Sequence, residues 1–145
     1  MKRIVLVAGL LALSIPGSAH ATTVCFTLLS GQKCIEFRTP PPKEAITSKG
    51  MTIAIDKAEL ISGDSLTATA SKFKPKEYVR AFVFNVYGRS SATELSGGAI
   101  ATKGGVAAVN YGTTSLPISV SEVRTICLRG EQSMKMACAS FQFEG

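Results

Sequence analysis

Residues 63–84 read GDSLTATASKFKPKEYVRAFVF. Ser62, Gly63 and Asp64 form a turn signal, and beyond it Leu66, Ala68 and Ala70 alternate with Ser65, Thr67 and Thr69. Successive side chains of an extended strand point to opposite faces, so this alternation predicts a strand with one apolar side. Lys74, Pro75 and Lys76 then make a corner, where proline fixes φ and removes a ladder donor. The run that follows, residues 78–87, is rich in β-branched and aromatic residues. It is apolar at Val79, Ala81 and Val83 on one face and at Tyr78, Phe82, Phe84 and Val86 on the other. A strand apolar on both faces is normally central: one side meets the opposing sheet, and the other meets a flanking element or a partner.

The flanking sequence continues the pattern. Upstream, Met51, Ile53 and Ile55 alternate with Thr52 and Ala54 in a strand that ends at Asp56 and Lys57, and residues 58–61 lead into the Gly63 turn. Downstream, residues 88–96 are polar and read as a long loop. Residues 99–102 and 106–111 are short apolar runs around Lys103, Gly104 and Gly105, a hairpin signal. Leu116, Pro117 and Ile118 read as an edge piece, and residues 123–129 and 135–143 as a closing hairpin around residues 130–134. Helical periodicity is absent beyond a single possible turn at residues 43–47. About seven short strands from Met51 onward, with turns at regular spacing, predict an all-β chain folded as an immunoglobulin-like antiparallel β-sandwich.

The N-terminal part has a different character. Lys2 and Arg3, an apolar run over residues 4–15, the breakers Pro16 and Gly17, and the small-x-small triplet Ala19, His20, Ala21 form a secretory signal, with cleavage expected after Ala21. The apolar run is shorter than the roughly 20 residues a membrane-spanning helix needs, and no other stretch reaches that length. The cut leaves 124 of the 145 residues, enough for one domain with an extension. Residues 24–37 read as a hairpin with its tip at Leu29, Ser30 and Gly31, followed by Thr39, three prolines and Lys43, a stiff connector or edge segment. The expected division is a signal (1–21), an N-terminal hairpin and connector (22–50) and the sandwich (51–145). Periplasmic or secreted localisation follows from the signal.

Charge and cysteine content narrow the chemistry. The formal charge of +6 falls to +4 when Lys2 and Arg3 leave with the signal, 14 basic residues against 10 acidic ones. That balance is compatible with contact to an anionic envelope surface and is not by itself a nucleic-acid footprint. All four cysteines lie in the mature part, an even count that reads as two disulfides in an exported chain. The spacing favours Cys25–Cys34 across the first hairpin and Cys127–Cys138 across the last, since facing ladder positions come within disulfide reach. Cross-pairing, which would tie the first hairpin to the last two strands, is the alternative. A zinc site is disfavoured because neither pair has a C-x2-4-C spacing.

His20 is the one histidine and leaves with the signal, so the mature chain has no Ser-His-Asp or Cys-His arrangement and lacks the commonest metal ligand. The ten acids are spread singly and each reads as a solvated turn or strand end. Ser30, Gly31, Gln32 and Lys33 match S-x-x-K, but at a hairpin tip rather than on a helix. No calcium loop or phosphate-cradling glycine loop precedes a helix signal. Neither an enzyme nor a cofactor is expected. The densest charge is Lys72, Lys74, Lys76 and Arg80. An extended chain would project the three lysines one way, either as a basic rim for a partner or as a solvated corner that guards against edge aggregation. Tyr78, Phe82, Phe84 and Tyr87, with Tyr111, Phe141 and Phe143, read as core.

The quoted stretch also resembles the start of many bacterial immunoglobulin-like modules: Gly63-Asp64 turn, alternating strand over residues 66–70, Phe73-x-Pro75 corner, and long apolar strand over residues 78–84. The ending VRTICLRGEQSMKMACASFQF is similar to their closing hairpin. The resemblance covers residues 51–143. It departs at the corner, where Pro75-Lys76 replaces the usual Pro-Gly, and at Cys25–Cys34, which has no counterpart. Such modules host many roles, so the resemblance implies fold more than function. The expected role is contact with another envelope or extracellular protein, as a small subunit of a surface or secretion assembly. Lys72, Lys74, Lys76, Arg80, Leu29 and Ser30 are the candidate contact residues, and the N-terminal hairpin is the candidate adaptor. The alternatives are an enzyme inhibitor acting through the 88–96 or 130–134 loop, and a glycan binder using Tyr87 and Tyr111.

Overall fold

The computed structural model describes residues 22–28, 31–37, 41–85, 92–113 and 121–145. The expected signal (1–21), the tip residues Leu29 and Ser30, residues 88–91 of the polar loop, Tyr87 and the 116–118 edge piece lie outside the described residues. β1 (Thr22–Leu28) and β2 (Gly31–Phe37) pair antiparallel as a two-stranded sheet, in a register that sets Cys25 opposite Cys34.

The remaining strands are β3 (Thr52–Ile55), β4 (Glu59–Ile61), β5 (Ser65–Ser71), β6 (Tyr78–Asn85), β7 (Thr93–Glu94), β8 (Ala99–Ile100), β9 (Ala107–Gly112), β10 (Ser121–Gly130) and β11 (Met136–Glu144). They make two sheets. One has the order β3-β5-β9; the other runs β4-β11-β10-β6-β7, with β8 also on β6. The chain is an all-β sandwich, without helix among the described residues.

Four expectations need correction. About seven strands were expected beyond Met51, and nine are described; β7 and β8, two residues each, are too short for periodicity to register. The turn at Lys103 to Gly105 forms, closed by Thr102 N donating to Val106 O (2.8 Å), but the strands on either side make no ladder with each other, because β8 joins β6 and β9 joins β5 on the opposite sheet. The ladder is also not wholly antiparallel, since β4 runs parallel to β11 at its Glu144 end. The possible helical turn at residues 43–47 is not formed either.

The core follows from the alternations. Leu66, Ala68 and Ala70 of β5 and Ala107 and Val109 of β9 face Val79, Ala81 and Val83 of β6, with Ile126, Leu128, Phe141 and Phe143 from the closing hairpin. Burial of these side chains, at about 25 cal/mol per Å² of apolar area, is the main force holding the sheets together. The other face of β6 forms a second cluster, in which Phe82 and Phe84 pack with Cys127 and Met136, and Ala45 lies against them. The flanking element is therefore the end of the expected connector. Ser48 N donates to Met136 O (2.7 Å), Met136 N to Ser48 Oγ (3.0 Å) and Cys138 N to Thr47 Oγ1 (3.0 Å), which seats residues 47–48 along β11. Cys127 and Cys138 face each other across β10 and β11 and form a disulfide.

The turn before β9 depends on one glycine. Gly105 has φ +73, and a Cβ there would collide with the Phe73 carbonyl oxygen. Phe73 N in turn donates to Gly105 O (3.1 Å), so neither strand can withdraw without loss of that bond. Gly105→Ala is expected to cost about 2 kcal/mol through left-handed strain and steric displacement. A urea midpoint that does not move would show that the turn relaxes freely.

Candidate functional site

The corner that follows β5 is built from unusual backbone. Lys72 (φ 76) and Lys76 (φ 61) both adopt the left-handed region. The chain between them is thus not extended, and the expectation that Lys72, Lys74 and Lys76 project one way by strand periodicity does not hold. Tertiary hydrogen bonds bring charge together instead. Phe73 N donates to Gly105 O (3.1 Å), Lys76 N to Ala101 O (3.0 Å) and Ala101 N to Glu77 O (2.8 Å). The corner is so stitched alongside residues 101–105, and Lys103 joins the three lysines at one end of the sandwich. All four are exposed, and among the described residues none makes an ion pair. Sequence reasoning missed Lys103 because only the pairing of the two turns makes it a neighbour.

Arg80, expected in the same basic group, is not part of it. Its side chain is 4% exposed and lies on the outer face of β6. Arg80 Nε donates to Glu94 Oε1 (2.7 Å), and Nη2 pairs with Glu94 Oε2. Glu131 Oε1 lies 3.6 Å from Nε. Arg129 faces Arg80 directly across the ladder, and both guanidinium groups cover the Phe82 ring, at 5.1 Å for Arg80 and 4.9 Å for Arg129. Like charges in facing positions repel, and the two glutamates offset this on the Arg80 side. The hydrogen bond that Arg80 donates to Glu94 holds the Arg80 pKa above its ordinary value; burial, and then the Arg80 charge, push that of Arg129 down. Glu94 and Glu131, which lie in the 88–96 and 130–134 stretches considered above for an inhibitor, thus serve a buried arginine.

Glu77 departs most from expectation, since a solvated strand end was predicted and the side chain is fully buried. Its Oε1 accepts from Lys74 N (2.6 Å) and Ser133 Oγ (2.8 Å), and its Oε2 from Ser133 N (2.8 Å) and Gln132 N (3.1 Å). One carboxylate therefore holds the lysine corner to the β10–β11 tip. Gly130 lies beneath it, where any Cβ would meet the carboxylate.

A groove of about 440 Å³ runs between the connector and that tip. Ile46 and Met134, 59% and 52% exposed, form its walls, with Met136 and Arg129 deeper in. Among the described residues no group of three or more His, Cys, Asp and Glu side chains is arranged to hold a metal ion. No helix among them is long and apolar enough to cross a membrane.

No family model matches the chain, and no curated protein matches it either. Among solved structures, a Niemann-Pick type C2 protein from the Japanese carpenter ant is similar at 13% identity, over 64% of this chain and 88% of that one, with a TM-score of 0.40.

Proposed function

We propose that the chain is an exported, non-enzymatic immunoglobulin-like module, cleaved after Ala21, that binds an acidic surface of another envelope or extracellular protein. The topology supports the fold assignment. The order β11-β10-β6-β7 corresponds to the G-F-C-C′ sheet of a variable-type domain, and β3-β5-β9 to A-B-E. Two features differ from that scheme: the disulfide lies within one sheet, and no strand occupies the position beyond β9 among the described residues.

The observation that carries the functional reading is the group of four exposed lysines at one end, without carboxylate partners among the described residues. A cationic patch of this kind accelerates encounter with an acidic partner and fixes its orientation. The β1–β2 ribbon, a sheet of its own, supplies a second contact as the adaptor.

The test is crosslinking and affinity capture of the mature chain from envelope extract, beside a variant carrying Lys72→Glu, Lys74→Glu, Lys76→Glu and Lys103→Glu. Capture of a stoichiometric protein by the parent chain, weakened roughly tenfold or more in the variant, is expected. Retention on peptidoglycan or polysaccharide with no protein partner would overturn the reading.

A further inference from the structure

Among the described residues no strand lies on the outer edge of β9, where a fourth strand of its sheet would lie, since β9 ends the order β3-β5-β9. Strand edges carry unpaired backbone donors and acceptors, and proteins protect them by shortness, charge or proline. The other sandwich edges are so protected. β7 has two residues and ends in Glu94; β4 has three and begins with Glu59; β3 has four and runs into Asp56 and Lys57. β9 has six residues, and residues 106–113 contain no charge and no proline. Ala107 and Val109 point inward, whereas Ala108, Asn110 and Gly112 are exposed and small, so nothing on that strand obstructs a neighbour.

We propose that this edge receives an extended segment of the partner polypeptide, added antiparallel to β9, with an acidic C-terminal end. The orientation comes from charge. Ala107 pairs with Ala70, two residues before Lys72, and the Lys103 turn leads directly into β9. The N-terminal end of β9 is therefore the lysine end. A strand added antiparallel, the somewhat more stable arrangement, brings its own C-terminus there. Main-chain hydrogen bonds supply affinity along the edge, and the lysines fix direction at its end. This inference rests on the proposed function and names the form its partner takes.

The probe is the fluorescent octapeptide Thr-Val-Thr-Val-Thr-Val-Asp-Glu with a free carboxylate, titrated by anisotropy against the mature chain. Binding is expected to weaken about tenfold on reversing the peptide sequence, and by a similar factor in the Lys72→Glu, Lys103→Glu double variant. N-methylation of alternate peptide amides, which spares every charge and leaves the protein untouched, is expected to abolish binding. Ala108→Pro should do the same if it folds. Amide shifts in the labelled chain should centre on residues 106–113. Equal binding of the N-methylated peptide, or shifts centred on Ile46 and Met134, would overturn the inference, as would a concentration-dependent dimer that competes with the peptide, since a second copy would then hold the edge. The two failures are separable. A captured partner lost in the lysine variant yet retained by Ala108→Pro overturns strand addition alone; absence of any protein partner overturns the reading beneath it.

Discussion

Glu77→Ala is expected to destabilise the fold by about 3–5 kcal/mol, because the carboxylate it removes serves four donors at once. Three of these are backbone amides, of Lys74, Gln132 and Ser133, and the site is closed to solvent. Each buried donor left without an acceptor costs about 1–3 kcal/mol, so partial rescue by an entering water still leaves a large deficit. Gly130 has no side chain to fill the space. Glu77→Gln is expected to cost about 2 kcal/mol, since one carbonyl oxygen remains while the amide nitrogen turns a donor toward donors. Urea unfolding at constant m reads both values. Hydrogen exchange adds a local readout: amides 132–133 should lose protection in the alanine variant ahead of the β5 and β6 amides. An alanine variant within about 1 kcal/mol of the parent would show that the tip does not depend on this anchor.

Glu77 also marks where the sequence stops being legible. Alternation identifies β5 and β6 because their periodicity is local and their burial one-sided or two-sided throughout. The closing hairpin is legible for a similar reason: two alternating runs around a short polar loop pin a register, and that register sets Cys127 opposite Cys138. The corner between β5 and β6 obeys no such period. Lys72 and Lys76 turn left-handed, so spacing says nothing about where their side chains go. An acid just after such a corner looks solvated until the β10–β11 tip folds over it. Arg80 misleads in the same way, since its partners Glu94 and Glu131 are remote in sequence. The exchange of Arg80 for Lys103 in the basic group is a consequence of tertiary stitching that no one-dimensional pattern carries. The same holds for β4, whose parallel pairing with β11 depends on where the chain crosses between sheets.

Phe82→Ala is expected to cost about 3–5 kcal/mol, the range for deleting a buried aromatic side chain. The ring is fully buried, faces Cys127 across the ladder and underlies both Arg80 and Arg129. Its loss opens a cavity beneath two facing cations and removes the π surface that favours them there. A double-mutant cycle with Arg129→Met separates the two contributions. In that background the cost of Phe82→Ala should fall by about 0.5–2 kcal/mol if the guanidinium–ring contact contributes beyond packing, whereas strict additivity would assign the whole effect to the cavity. The experiment also decides what the second face of β6 is. A strand apolar on both sides is compatible with either a partner surface or a second core. A loss of several kcal/mol in the isolated chain means that the face is already committed to folding, held by residues 45–48 above and the arginine pair beside it. Under the proposed function, recognition then rests on the lysine end and the outer edge of β9, which among the described residues carry no ion pair and no neighbouring strand. A loss below about 1 kcal/mol would reverse that division and return the aromatic face to the partner.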